Sequence, residues 1–388
     1  MWRFRIGIAS LALLALGAGG CAASYTEYRP VRAEPGRVVD VSVFYDALSP
    51  YGQWFQYGDY GWAWTPYDMP PGWRPYTTGH WAYTDCGWTW VSDEPWGWAP
   101  FHYGRWAYDD DYGWVWIPDT VWGPAWVAWR DGDEDVGWAP LPPAARWDVS
   151  VGITGGGADV SAHAWSFVPR RNLCDPRLAG ELEPAPRNET LIGATRVLDI
   201  RYEPVNGRPM DRGVDVDDWE RRDGRRVPRF KLADLPQPTG RGALESGGRL
   251  SVFRPQVAPV ASAPPPRAPM QAPPPPDPAV AAHRAERERQ YQDYWDAQRR
   301  RLDASHQQEL ARTPEGAARQ QLEARHAAET QALEAQIQRE RHVVEARAQH
   351  KVMKPPPGRG RQDDRGRGDH RDQGDHGGHG DHGDHGSP

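Results

Sequence analysis

The chain has 388 residues, including 39 prolines and 41 glycines, with a formal net charge of −7 and a mean hydropathy of −0.80. Such a composition places a large share of the chain outside any packed core. Acidic and basic residues are mixed along most of the sequence, and the absence of a basic stripe argues against a protein that binds nucleic acid.

The first 20 residues have the pattern of a signal peptide. Arg3 and Arg5 precede an apolar run over positions 6–16, which is too short to cross a bilayer as a mature helix. We therefore expect an exported protein from which residues 1–20 are removed, the alternative being that the run stays as an uncleaved anchor.

The residues before Cys21 resemble a bacterial lipobox, in which the cysteine is lipidated and becomes the mature N-terminus. Ala18 stands where that motif usually has Leu, so cleavage without lipidation is the alternative. Ala22 follows the cysteine and resembles the sorting signal for the outer membrane. The resemblance implies a lipid anchor at Cys21, a tether over residues 21–47, and a location on the periplasmic face of the outer membrane of a Gram-negative bacterium.

Residues 48–147 contain a tryptophan-rich repeat in four copies, with Gly-Trp elements that begin at positions 61, 87, 113 and 137. In the second copy, Trp81 and Tyr83 share one face of an extended segment, and Trp88 and Trp90 share one face of the next. Turn residues lie between the two segments, and prolines separate the copies. Each copy is therefore predicted to be an antiparallel β-hairpin with aromatic pairs across it.

Tryptophans must supply most of the core of this region. Between Leu48 and Pro143 there are sixteen Trp but only eight Val, Ile and Leu together, and each buried aromatic ring removes about 150–250 Å² from water. A minority of exposed rings would be a platform for a glycan or a protein partner. The candidates for this platform are Trp81, Trp88, Trp90, Trp106, Trp114 and Trp116.

The repeat resembles tryptophan-rich bacterial envelope proteins that are grouped as a domain of unknown function, with short repeats of the W-x-x-G-x-W type. The likeness rests on positions 73–90, 96–116, 137–143 and 165–169. It covers about residues 40 to 235. It implies envelope location and architecture and brings no established activity.

Residues 148–253 are predicted to be a second β-rich portion that packs on the first, because short β-like runs alternate with Gly, Pro and charge. Cys86 and Cys174 are the remaining cysteines after Cys21. In an oxidising compartment they either form a disulfide or remain as two separate thiols.

Residues 254–278 are rich in proline and are predicted to be a stiff polyproline II linker. Residues 279–352 are rich in Ala, Gln, Glu and Arg, with only Pro314 interrupting, which predicts either a helical hairpin of coiled-coil-like character or one long extended helix. We expect this helical arm to be solvated and to reach away from the β domain.

Residues 353–388 are predicted to be a disordered tail rich in Gly, Asp and His. Imidazole-rich tracts bind divalent transition metals, so the tail is either a solubilising extension or a metal site. The candidate ligands are His370, His376, His379, His382 and His385.

No nucleophile motif or Walker loop is present in the sequence, which favours a non-enzymatic protein without a resident cofactor. The leading hypothesis is a lipid-tethered envelope module that binds a glycan or a protein through exposed tryptophans. The alternative is a structural or assembly protein that acts through its helical arm and tail, with the tryptophans serving only as core. An enzyme of unknown chemistry comes third, and the sequence leaves the oligomeric state open.

Overall fold

The computed structural model describes residues 38–258 and 278–350, apart from positions 68, 156–159, 200–201, 206 and 240–242. The signal peptide, Cys21, most of the proline-rich linker and the five tail histidines lie outside the described residues. What the sequence indicates about these segments therefore stays a prediction.

The predicted hairpins are present, one for each copy of the repeat. They follow a short strand, β1 (Val38–Asp40), and a helix, α1 (Ser42–Leu48). The hairpins are β2 (Gly52–Gln56) with β3 (Trp62–Pro66), β4 (Gly79–Thr84) with β5 (Gly87–Ser92), β6 (Arg105–Asp109) with β7 (Gly113–Ile117), and β8 (Val127–Asp131) with β9 (Asp135–Pro140).

One tryptophan pair spans each hairpin and gives the four copies a common frame. The directly opposed pairs are Trp54 with Trp64, Trp81 with Trp90, Trp106 with Trp116, and Trp129 with Trp138. In this frame Trp138 corresponds to Trp116, so the alignment of Gly137 with Gly113 that the sequence spacing indicated is wrong by two residues. The fourth copy has Val136 opposite Asp131 where the third has Trp114 opposite Tyr108.

Segments after the repeat add strands to the hairpins, which confirms a mainly β fold. The added strands are β10 (Arg146–Asp148), β11 (Gly152–Thr154), β12 (Ser166–Pro169), β13 (Arg196–Val197), β14 (Tyr202–Val205), β15 (Arg208–Asp211), β16 (Arg229–Asp234), β17 (Ala243–Ser246), β18 (Arg249–Val252) and β19 (Gln256–Ala258). Helices α2 (Asn188–Ala194) and α3 (Val216–Asp223) lie between them. The sheet orders are β2-β3-β7-β6, β12-β9-β8-β13 and β14-β15-β5-β4-β16-β18-β17, with two-stranded sheets β1-β19 and β10-β11.

The core is built from packed indole rings. Fourteen of the sixteen tryptophans between residues 48 and 143 are buried, and neighbouring rings such as Trp81 and Trp129 have centroids 4.6 Å apart. A buried indole N–H needs an acceptor, and backbone carbonyls supply several. Trp88 donates to the Val214 oxygen at 2.8 Å and Trp138 to the Tyr76 oxygen at 2.9 Å. These carbonyls thus fix the orientations of the rings that donate to them, whereas the buried indole N–H groups of Trp54, Trp81 and Trp90 have no acceptor among the described residues.

Two long helices follow, α4 (Pro278–Arg312) and α5 (Ala317–His350). Pro314 lies in the turn between them, and a small core of Trp295, Leu302, Leu333 and Ile337 holds the pair together. The structure therefore confirms the helical hairpin and not the single extended helix.

Candidate functional site

The six tryptophans predicted to form an aromatic platform are all in the core. Their exposed fractions run from 0% for Trp88 and Trp116 to 6% for Trp114. The sequence could not reveal this, because the segments that cover the hairpin faces lie far along the chain. The prediction of a platform at these six positions is therefore wrong for the folded chain.

Partly exposed aromatic side chains occur instead at the tip of the first hairpin. Trp62 is half-buried, although Trp88 and Trp114 at the equivalent positions of the next two hairpins are buried. Tyr60 is 50% exposed, and its ring lies 6.1 Å from that of Tyr57, with the two planes inclined by 18°. The first hairpin thus presents the aromatic surface that the sequence assigned to the second and third.

Cys86 and Cys174 are free thiols in the structure, which agrees with the alternative of two separate cysteines and not with a disulfide. Burial raises the pKa of the Cys86 thiol, and it raises the pKa of Cys174 to about 12. Both side chains are therefore held as neutral thiols near pH 7, a state of low nucleophilicity.

The helical hairpin does not reach away from the β domain but packs against it. A methyl group built on Gly72 would lie 2.5 Å from the Tyr294 hydroxyl of α4. A methyl group on Gly113 would lie 3.2 Å from Val343 and 3.1 Å from the Arg347 guanidinium of α5. Both glycines have positive φ, at +69° and +64°, so their turns admit the helices where any other residue would be strained.

Arg347 fastens α5 to the end of β3 and to the turn of the third hairpin. Its Nε donates to the Tyr112 carbonyl at 2.9 Å, Nη1 to the Pro66 carbonyl at 3.2 Å, and Nη2 to the Thr65 hydroxyl at 2.8 Å. A guanidinium can satisfy several acceptors at once because its donors form a rigid planar fork. This single side chain therefore joins the first and third hairpins to the helix.

Glu340 lies about two helical turns before Arg347 in the same interface. Burial raises the pKa of its carboxyl to about 7, against the lowering effects of the Arg74 and Arg347 charges and of a hydrogen bond from the Gly72 amide. Beside it is a cavity of about 70 Å³, lined by residues from both parts, among them Trp73, Trp114, Tyr291 and Val343. The interface thus combines aromatic packing with a carboxyl group that is easily protonated.

A second contact joins the hairpin to α2. Arg187 donates to Glu309 at 3.2 Å, and the Thr190 hydroxyl donates to Glu329 at 2.7 Å. The same two carboxylates also contact two histidines of the hairpin, whose stacked rings have centroids 3.8 Å apart, His306 and His326. Glu309 and Glu329 therefore link the internal packing of the helices to their attachment.

The buried carboxyl of Asp211 lies at the centre of the β domain. It accepts hydrogen bonds from the Trp129 indole at 3.1 Å and from the Tyr202 hydroxyl at 3.4 Å. Burial raises its pKa to about 8, against the lowering effect of these donors. The group is enclosed on all sides, which is typical of a structural and not a catalytic carboxyl.

Within the described residues, no group of three or more His, Cys, Asp or Glu side chains is placed to hold a metal ion. Within the same residues, no helix has the length and apolar character needed to cross a bilayer. The metal expected on the tail histidines is not tested by either finding, since those histidines lie outside the described part.

The sequence did not indicate the residues that hold this interface. Gly72 and Gly113 each precede a tryptophan of the repeat, but this does not reveal which distant helix packs on them. Arg347 and Glu340 are two of many charged residues in α5, and only the structure separates them from their solvated neighbours.

The fold and this interface define a tryptophan-rich β-hairpin domain with a helical hairpin packed on it. Residues 45–145 match the model of a family of unknown function, DUF6600, and the aromatic clusters of this region fit a tryptophan-rich domain. The match covers the repeat and ends well before position 235, where the sequence resemblance was expected to end. No curated protein and no solved structure matches the chain.

Proposed function

We propose that the chain is a non-enzymatic structural or assembly protein of the bacterial envelope, in which the tryptophan-rich domain is the scaffold and the helical hairpin is the part presented to other components. The burial of fourteen of the sixteen repeat tryptophans carries this proposal. Rings that build the core and position a docked hairpin are not available to a ligand. The exposed faces of α4 and α5 remain for contact.

The proposed location at the outer membrane rests on the N-terminal sequence. Export by residues 1–20, lipidation at Cys21 and residence at the periplasmic face of the outer membrane would tether the domain to a surface. Metabolic labelling with a palmitate analogue and membrane fractionation test this part. We expect label and outer-membrane recovery for the native chain and loss of both for Cys21→Ser; a labelled Cys21→Ser chain would contradict the lipidation site.

The assembly role is tested in cells that lack the gene and show a change in detergent sensitivity. The full chain should restore resistance, and a chain without residues 278–350 should not. A chain in which only Trp62 and Tyr60 are replaced by Ala should restore it fully. The opposite pattern, with the helices dispensable and the two aromatic residues required, would contradict the role of the hairpin.

A second candidate is a binding module for an envelope glycan, and the partly exposed rings of Trp62 and Tyr60 favour it. Sugar rings stack on accessible aromatic faces that have one polar edge. Titration of tryptophan emission with peptidoglycan fragments and polysaccharides separates the two candidates. A saturable change that Trp62→Ala removes and Trp122→Ala retains would favour the glycan module over the scaffold.

A further inference from the structure

The first strands of the four hairpins, β2, β4, β6 and β8, are equivalent, and their outer edges differ in what covers them. β4 pairs with β16 through Tyr83 opposite Arg229, and β8 pairs with β13 through Asp131 opposite Arg196. The Trp106 amide of β6 donates to the Leu141 carbonyl at 3.3 Å. β2 stands last in its sheet order, with β3 as its one strand partner in the described part of the chain.

Alternation along β2 shows which backbone groups face outward. The Tyr67 amide donates to the Tyr51 carbonyl and the Tyr57 amide to the Gly61 carbonyl, both at 2.8 Å. In an antiparallel ladder every second residue bonds across, so the odd-numbered residues of β2 face β3. The amide and carbonyl of Gln56 therefore point away from the sheet, and Gln56 is exposed.

The position of Gln56 is the one that an added strand covers on the second and fourth hairpins. Trp54, Trp81 and Trp129 are equivalent, so Gln56 corresponds to Tyr83 of β4 and to Asp131 of β8. Both of those residues face an arginine of the added strand. In both cases the added ladder is two residues long, so a short segment is sufficient to occupy this edge.

At Gln56, its exposed end, β2 lacks the features that usually protect a strand edge from pairing. Natural edge strands are blunted by charges, prolines or bulges, whereas β2 reads Gly-Gln-Trp-Phe-Gln and pairs with β3 in continuous register. Between residues 38 and 73 the chain has no Lys or Arg, and the described residues there include Asp40, Asp46 and Asp59. The edge is therefore neutral in an acidic setting, which complements a basic strand.

We propose that the outer edge of β2 around Gln56 binds a short arginine-bearing extended segment of a partner protein, which adds a strand where β16 and β13 lie on the other hairpins. This deepens the proposed assembly role by naming a second contact surface and the kind of partner it takes. A second copy of β2 is a poorer occupant, because it brings no basic residue. It would also place a second acidic hairpin tip beside the first.

The test uses the full chain without its signal peptide and a fluorescein-labelled peptide with the sequence of residues 228–234, which contains β16. Binding is followed by anisotropy at millimolar protein, with a peptide in which Arg and Lys become Gln as the control. We expect the basic peptide to bind at least tenfold more tightly than the neutral one. Hydrogen exchange should slow in the segment around Gln56.

Gln56→Pro removes the outward amide, and Gln56→Ala is the matched control that keeps it. The proline is compatible with the fold because this amide makes no bond to β3, and an unchanged thermal midpoint verifies that. We expect Gln56→Pro and Gln56→Lys each to weaken binding at least tenfold, the latter by charge repulsion, and Gln56→Ala less than twofold. Equal affinities of the proline and alanine variants, or no protection at Gln56, would overturn the proposal.

A dimer that Gln56→Pro converts to a monomer would assign the edge to a second copy and also overturn the proposal. These outcomes concern β2 alone. The assembly role of the helical hairpin is decided separately by the removal of residues 278–350 in cells.

Discussion

At the scale of single residues, the turn glycines show how one repeated position is used in different ways. Gly61, Gly87 and Gly113 follow equivalent loops, with φ values of +78°, +82° and +64°. A Cβ on Gly61 would meet nothing within 4 Å, one on Gly113 would touch α5, and one on Gly87 would lie 1.8 Å from the Asp211 carbonyl oxygen. The three turns share one backbone conformation, and the segments that pack on each turn determine how much space its glycine leaves.

Alanine at these three glycines should therefore give graded effects. Each variant loses about 1 kcal/mol because the residue stays in the left-handed region. Gly87→Ala should lose roughly 1–3 kcal/mol more, because backbone must shift to relieve the overlap. Gly113→Ala should mainly loosen α5. Urea unfolding measures the first two effects and hydrogen exchange in α5 the third; equal losses at Gly61 and Gly87 would contradict the ranking.

Because the pKa of Asp211 is raised in the folded state, we expect the free energy of unfolding to depend on pH. Its folded-state pKa is raised to about 8, while an unfolded Asp has a pKa of about 3.9. Between these values the folded state binds more protons than the unfolded one, so the free energy of unfolding should fall as pH rises from about 4 to about 8. Urea unfolding across this range should show a smaller slope for Asp211→Asn, with Asp59→Asn on the surface as control.

At the scale of elements, the hairpins could be predicted and their partners could not. The spacing of two between Trp81 and Tyr83, and between Trp88 and Trp90, is a local pattern, so the sequence alone predicts these strands. The parallel contact of Asp211 with Gly87 joins segments far apart, and no local pattern encodes it. The fourth copy was misaligned for a similar reason, because Gly137-Trp138 repeats the letters of the turn without its position.

The attachment of α5 should depend on the protonation of Glu340. The docked group has a pKa raised to about 7, and a free Glu has about 4.3. The docked state thus holds the proton more firmly, and docking should weaken as pH rises between these values. Glu340→Gln should remove this dependence. Hydrogen exchange of α5 at pH 5 and pH 8 is the measurement, and Glu345→Gln on the exposed side of α5 is the control.

Arg347→Ala should release α5 from the end of β3 and from the turn of the third hairpin. Three acceptors, the carbonyls of Tyr112 and Pro66 and the hydroxyl of Thr65, lose a donor. We expect faster proteolysis within α5 while the tryptophan core retains its thermal midpoint. Arg341→Ala, at an exposed position of the same helix, should leave the rate unchanged; equal rates for both variants would contradict the role of Arg347.

At the scale of the whole molecule, the described residues form three hydrophobic clusters, the smallest of which joins the second hairpin to β17 and β18 through Ala82, Val91, Ala243, Leu250 and Val252. The main cluster extends from Phe44 to Phe253, and the helices have a separate cluster around Trp295 and Leu333. The burial of most tryptophans could be argued from the shortage of aliphatic residues in the repeat. The docking of the helices could not be predicted from the sequence, because the apolar stripes on α4 and α5 are narrow. Their contacts with the β domain depend on polar groups such as Arg347.

A chain that ends at residue 258 should therefore keep its β core. Its cooperative unfolding should persist, because every residue of the main cluster remains. Trp114 and Trp73, which line the cavity against α5, should become accessible to acrylamide, whereas Trp88 and Trp138 at 0% exposure should not. A noncooperative transition would show that the helices are part of the core.

The pairing of β16 with β4 also bears on the order in which an exported chain folds. Residues 79–84 precede residues 229–234 by about 150 positions, so a chain that crosses a membrane N-terminus first presents the second hairpin well before the strands that cover it. The second hairpin folds locally, yet both of its edges wait for β15 and β16. The chain is therefore most open to edge-to-edge aggregation before those strands arrive, and a chaperone in the compartment where the chain folds would have its main task in that interval.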